Sequence, residues 1–72
     1  MYKYGIVLYW SSEDGAFVAE APQLPGCMAH GATQEDALRE INEAIRLWID
    51  TSRELGAPVP EPDGGRLKAA QA

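Results

Sequence analysis

From Tyr2 to Trp10 the chain sets Tyr2, Tyr4, Ile6, Leu8 and Trp10 on one side of a period-two pattern and Val7 and Tyr9 on the other. Apolar residues on both sides predict a strand with both faces covered, at the centre of its sheet. The polar run Ser11-Ser12-Glu13-Asp14-Gly15 ends in Asp-Gly, a pair that tolerates the positive φ angles of hairpin loops, and the β-prone run Ala16 to Ala21 follows it. Pro22 and Pro25 lack N–H donors and bracket Leu24, so residues 22–27 are expected to be a rigid structural connection before a short strand over Cys27 to His30. Gly31 turns the chain. Thr33 is a good N-cap, and Glu35 and Asp36 fall in the first turn, where the helix dipole favours negative charge. Ala37, Leu38, Ile41, Ala44, Ile45, Trp48 and Leu55 follow helical spacing until Gly56 and Pro58 supply the stop, with Trp48 and Ile41 expected on the core side.

These elements predict an α+β fold, a three-stranded antiparallel β-meander with one long amphipathic helix on one face. Residues 1–57 form that domain in this reading, and the Pro- and Gly-rich residues 58–72 form an extended or mobile tail in which Arg66-Leu67-Lys68 could add a short fourth strand.

Composition narrows the function classes. With 72 residues, 46% of them apolar and 24% charged, the chain is one globular domain. It has no apolar run long enough to cross a membrane and no secretory signal, and is expected to be cytoplasmic. A single cysteine, Cys27, and a single histidine, His30, allow neither an internal disulfide nor a self-contained zinc site, and no cofactor is implied. A domain so small and without covalent staples is expected to self-associate as a homo-dimer or higher oligomer. The net charge of −5 opposes direct binding to nucleic acid and favours a basic partner.

Catalytic constellations are not visible. Cys27 and His30 are three apart in one predicted strand and would point to opposite faces, so they make no thiol–imidazole pair. Glu13 and Asp14 fall in a hairpin turn, where solvated acids are ordinary, and Glu20 is the only other carboxylate on the predicted sheet. On the helix, Arg39, Arg46 and Arg53 recur every seven residues among Asp36, Glu40, Glu43, Asp50 and Glu54, with Glu35–Arg39 and Arg46–Asp50 at ion-pair spacing. Leu47 falls among those acids and, with Trp48 and Ile49 beside it, suggests a second apolar contact for the helix.

Several motifs stand together in order: the strand Tyr4 to Trp10, Glu13-Asp14-Gly15-Ala16-Phe17-Val18-Ala19-Glu20, Pro22-Gln23-Leu24-Pro25-Gly26-Cys27, Gly31-Ala32-Thr33-Gln34-Glu35-Asp36-Ala37 and the trailing Gly56-x-Pro58-x-Pro60-x-Pro62. This series resembles the HicB-like antitoxin family over about residues 2 to 62. The resemblance implies a truncated ribonuclease-H-like fold without the ribonuclease carboxylates, and a protein that binds and occludes a HicA-type toxin, small, basic and RNA-cleaving. Many family members continue into a DNA-binding segment that is not visible before Ala72, so direct binding of operon DNA is not implied. The candidate partner-binding residues are Glu13, Asp14, Glu20, Asp36, Glu40, Glu43 and Leu47. A stand-alone oligomeric regulatory module with no toxin partner is the alternative that the resemblance leaves open.

Overall fold

Polar side chains close the first turn locally. Ser11 Oγ donates to Asp14 Oδ2 at 2.9 Å, the Asp14 N–H returns to Ser11 Oγ at 3.2 Å, and the Gly15 N–H reaches Ser11 O at 2.8 Å. In this computed structural model, which describes residues 2–62, the hairpin joins β1 (Val7–Ser11) to β2 (Ala16–Glu20), followed by β3 (Met28–Gly31) and α1 (Gln34–Glu54). All pairing is antiparallel in the order β1-β2-β3, with Val7 opposite Glu20 and Ser11 opposite Ala16 in the first pair, and Phe17 opposite Gly31 and Glu20 opposite Met28 in the second. The β-β-β-α meander matches the expected class. The likeness to ribonuclease H rests on the family resemblance alone.

The first strand begins at Val7 rather than Tyr2. Among the described residues it pairs only with β2, which lies between it and β3. Only Ala32 and Thr33 separate β3 from α1, so the helix starts directly above β3, packs mainly there, less on β2 and least on β1.

Ala37, Ile41, Ile45 and Ile49, spaced four apart, are buried against Ala19, Ala21, Leu24 and Cys27, with Tyr4 closing one end. The expected stripe is thereby corrected. Leu38 and Leu55 are exposed, Ile49 joins the core, and Trp48 is only partly buried at its margin.

Gly31 lies against the first turn of α1. A Cβ there would lie 2.3 Å from the Ala37 nitrogen and 2.7 Å from the Asp36 carbonyl carbon. Only a residue without a Cβ lets the helix backbone come this near.

Both helix ends are capped as the sequence predicts. Thr33 Oγ1 accepts the Asp36 N–H at 3.0 Å. At the other end the Gly56 N–H bonds Arg53 O at 3.1 Å and the Ala57 N–H bonds Ser52 O at 2.8 Å, the paired bonds of a Schellman motif, with Gly56 at φ +70°. Residues 57–62 then run back along the molecule. Val59 packs on the core, Tyr4 Oη donates to Pro60 O at 2.5 Å, and Gln23 Nε2 donates to Glu61 O at 2.9 Å. The suggested strand at Arg66-Leu67-Lys68 lies outside the described residues.

Two predictions follow from this packing. Gly31→Ala should destabilise the domain by about 1–3 kcal/mol or more, because backbone rather than a flexible side chain blocks the new methyl; an unchanged melting temperature would contradict the close approach. Burial first, and Glu61 second, hold the Tyr4 phenol above its ordinary pKa of 10.0, against an opposing effect of Arg53. The folded state therefore favours the neutral phenol, whose stabilisation is complete below the ordinary value and is lost as pH rises through the folded one. Tyr4→Phe should cost about 1 kcal/mol at neutral pH. It should also lose less stability than the wild type between about pH 9 and 11, read as urea midpoints.

Candidate functional site

At 100° per residue, Asp36, Glu40, Glu43, Leu47, Asp50 and Glu54 fall within one sector of α1 roughly 80° wide, on the side away from the sheet. Arg39, Arg46 and Arg53 form a parallel row beside them. Arg46 is held between Glu43, through Nε at 3.1 Å and a second nitrogen at 2.6 Å, and Asp50 at 3.2 Å. That bidentate contact keeps the Glu43 carboxyl below its ordinary range and raises the Arg46 guanidinium. Arg39 pairs with Asp36, three residues before it, rather than with Glu35.

Glu40 and Glu54 have no ion-pair partner among the described residues. Between the acids Leu47 is 52% exposed. Its other side opens onto a groove of about 430 Å³ between α1 and the residues entering β3, lined by Cys27, Met28, Ala44, Leu47, Trp48 and Thr51. Trp48 Nε1 donates to Pro25 O at 3.0 Å and ties the helix to the 22–27 loop at this margin. Inside that loop Leu24 is buried, with its N–H on Ala21 O at 2.9 Å and its carbonyl accepting from the Cys27 N–H at 2.9 Å.

The hairpin acids lie elsewhere. On the sheet face turned away from the helix, the cross-strand rows are Tyr9, Val18 and His30, and Val7, Glu20 and Met28. Tyr9 Oη donates to Glu20 Oε2 at 2.6 Å, and this bond raises the Tyr9 pKa. Asp14 lies 3.5 Å from His30 Nε2, while Glu13 is exposed in the turn. The structure thus brings Asp36, Glu40, Glu43 and Leu47 together and sets Glu13, Asp14 and Glu20 on the opposite side of the molecule.

Cys27 and His30 do not meet. Cys27 precedes β3 and is buried in the core, where desolvation pushes its thiol above the ordinary pKa, and His30 is exposed on the outer sheet face. Among the described residues no three His, Cys, Asp or Glu side chains cluster as a metal site requires, and no helix is long and apolar enough to cross a membrane. The groove residues Met28 and Thr51 escape a reading of the sequence. The one signal for them is the adjacency of Leu47 and Trp48, which exposes one apolar residue beside another that is partly buried.

Comparison with known proteins places this geometry. The family described as HicB-like antitoxin of bacterial toxin-antitoxin system matches residues 4–71. The chain belongs to the HicB-like antitoxin family. A UPF0150 protein of Thermoplasma acidophilum is 38% identical over 65 residues, covering 90% of this chain and 93% of its own. Two UPF0150 proteins of Synechocystis are also similar, one 42% identical over 79% of this chain and 77% of its own, the other 38% identical over 88% and 78%. No solved structure matches significantly. In this HicB-like chain the acidic sector, the groove and the outer sheet face all lie within the span that the family covers.

Because Trp48 is half-buried with one hydrogen bond, Trp48→Ala should cost about 2 kcal/mol, below the roughly 3–5 kcal/mol of a fully buried tryptophan. Trp48→Phe, which keeps most of the ring and loses the Pro25 bond, should cost about 1 kcal/mol. Equal losses in chemical denaturation would place the whole effect in the hydrogen bond and contradict the packing.

Proposed function

We propose that this antitoxin-family protein neutralises a small, basic, HicA-type RNA-cleaving toxin in the cytoplasm by covering its active surface, with no catalysis of its own. The observation that carries the reading is a juxtaposition on α1. Glu40 and Glu54, unpaired among the described residues, flank a half-exposed Leu47 beside an apolar groove. Unpaired carboxylates steer a basic partner and raise its association rate, and an apolar centre that excludes water supplies residence time. Asp36, Glu40, Glu43 and Leu47 are the docking residues in this proposal. Glu13, Asp14 and Glu20, across the sheet, add to the long-range field of a chain with net charge −5.

The test mixes RNA, the purified chain and a small basic HicA-type protein, taken from beside its gene where one is encoded there. Wild-type chain should suppress cleavage. The triple variant Asp36→Lys, Glu40→Lys, Glu43→Lys should associate about tenfold more slowly and with weaker salt dependence. Leu47→Ala should raise the dissociation rate, by about 1–2 kcal/mol in affinity. Cleavage by the chain alone, or undiminished cleavage by a toxin bound to it, would overturn the proposal. A chain that binds no such neighbour would be a stand-alone regulatory module.

A further inference from the structure

Hydrogen bonding along β3 is one-sided. The Ala21 N–H bonds Cys27 O at 3.0 Å, and this pair continues the register that sets Glu20 opposite Met28 and Phe17 opposite Gly31. In an antiparallel ladder, residues that exchange bonds with the neighbouring strand alternate with residues whose N–H and C=O point the other way. Ala29 and Gly31, like the Cys27 carbonyl, therefore face β2, and Met28 and His30 turn their backbone groups outward. Among the described residues nothing pairs with those outward groups.

The groove beside α1 begins at this edge. Its lining takes Cys27 from the helix side of the sheet and the half-exposed Met28 from the outer side, so it wraps round the edge of β3 rather than stopping at one face. On the helix, Glu40, Leu47 and Glu54 recur every seven residues and share one flank, with Ala44 and Thr51 lining the groove between the two acids. Each end of that row is thus a carboxylate without an ion-pair partner among the described residues, whereas Arg39 and Arg46 are taken up by Asp36, Glu43 and Asp50. Among the described residues no lysine or arginine lines the groove.

We propose that the β3 edge receives an extended segment of the basic toxin, which pairs with Met28 and His30 as an added strand and sends every second side chain into the groove under α1. The inference rests on the antitoxin reading and adds the mode of contact. Backbone bonds supply affinity in such strand addition, and pockets for alternate side chains supply the choice of partner. From Glu40 to Glu54 the helix rises about 21 Å, the span of about six extended residues. The segment that fits has a lysine or arginine toward each end and an apolar residue between them. That apolar side chain lies opposite Ala29, whose small side chain is on the helix side of the sheet and leaves it room beneath Ala44 and Leu47. Side chains opposite Met28 and His30 fall on the outer face, where Asp14 lies 3.5 Å from His30 Nε2 and offers a further carboxylate.

Hydrogen exchange of single backbone amides, followed by NMR in the free full chain and in its complex with a small basic HicA-type protein, tests this. In the free chain the Met28 and His30 amides should exchange fast and the Ala29 amide slowly. In the complex Met28 and His30 should slow at least about tenfold. His30→Pro removes an outward N–H and none from the β2 ladder, so it should bind at least about tenfold more weakly than His30→Ala, which keeps that N–H. The exchange measurement on the wild type decides the matter whether or not the proline variant folds. A complex in which Met28 and His30 still exchange fast, or equal binding by two folded His30 variants, would overturn this inference and leave the antitoxin reading in place. Protection already present in the free chain, whether from residues 63–72 or from a second copy, would overturn it as well. A chain that binds no such toxin overturns both.

Discussion

One close approach sets the rest of this molecule. At the end of β3 the backbone comes so near the first turn of α1 that Gly31 has no room for a Cβ. The helix can lie that low because the surfaces facing each other there are made of small residues, Ala19 and Ala29 on the sheet and Ala37 on the helix. Ile41 and Ile45 then reach the sheet and are fully buried. With a two-residue connection at its start, the helix has no freedom to move sideways, so its axis stays over β3 and the neighbouring part of β2.

A single helix seated over one edge divides the surface into unlike halves. On the β3 side, the helix margin meets the 22–27 loop and leaves an apolar groove next to a sector of carboxylates. Toward β1 the helix carries Arg39, Arg46 and Arg53, the first two ion-paired with acids of that sector. The sorting of charge follows from helical spacing, since residues seven apart return nearly to the same side and the three arginines recur at that interval.

Local chemistry was well legible in the sequence, and competition between elements was not. Asp14-Gly15 marked the hairpin, Thr33 the helix start and Gly56 its end, because each signal acts within a few residues. The start of β1 was less legible, because Tyr2, Tyr4 and Ile6 continue the same period-two pattern yet lie before the strand, Tyr4 turning into the core instead. The helix stripe failed in the same way. Leu38 and Leu55 fit an amphipathic period as well as Ile49 does, but the tail docks near Ile49 and Tyr4 and closes that end of the core, leaving Leu55 in solvent. Of the partner residues, the helix acids could be grouped from spacing alone, whereas the separation of Glu13, Asp14 and Glu20 from them depends on which sheet face the helix takes.

The order of elements also bears on how fast the native state can be reached. Each strand pairs with its neighbour in sequence, and the helix packs chiefly on the strand just before it, so few long loops must close before contacts begin to stabilise one another. Tyr4 and Pro60 are the exception, joined across 56 residues by one hydrogen bond. A chain built this way can assemble its meander and helix from local encounters, and the joining of its two ends, the most costly closure in entropy, is a latch that adds to a structure already formed.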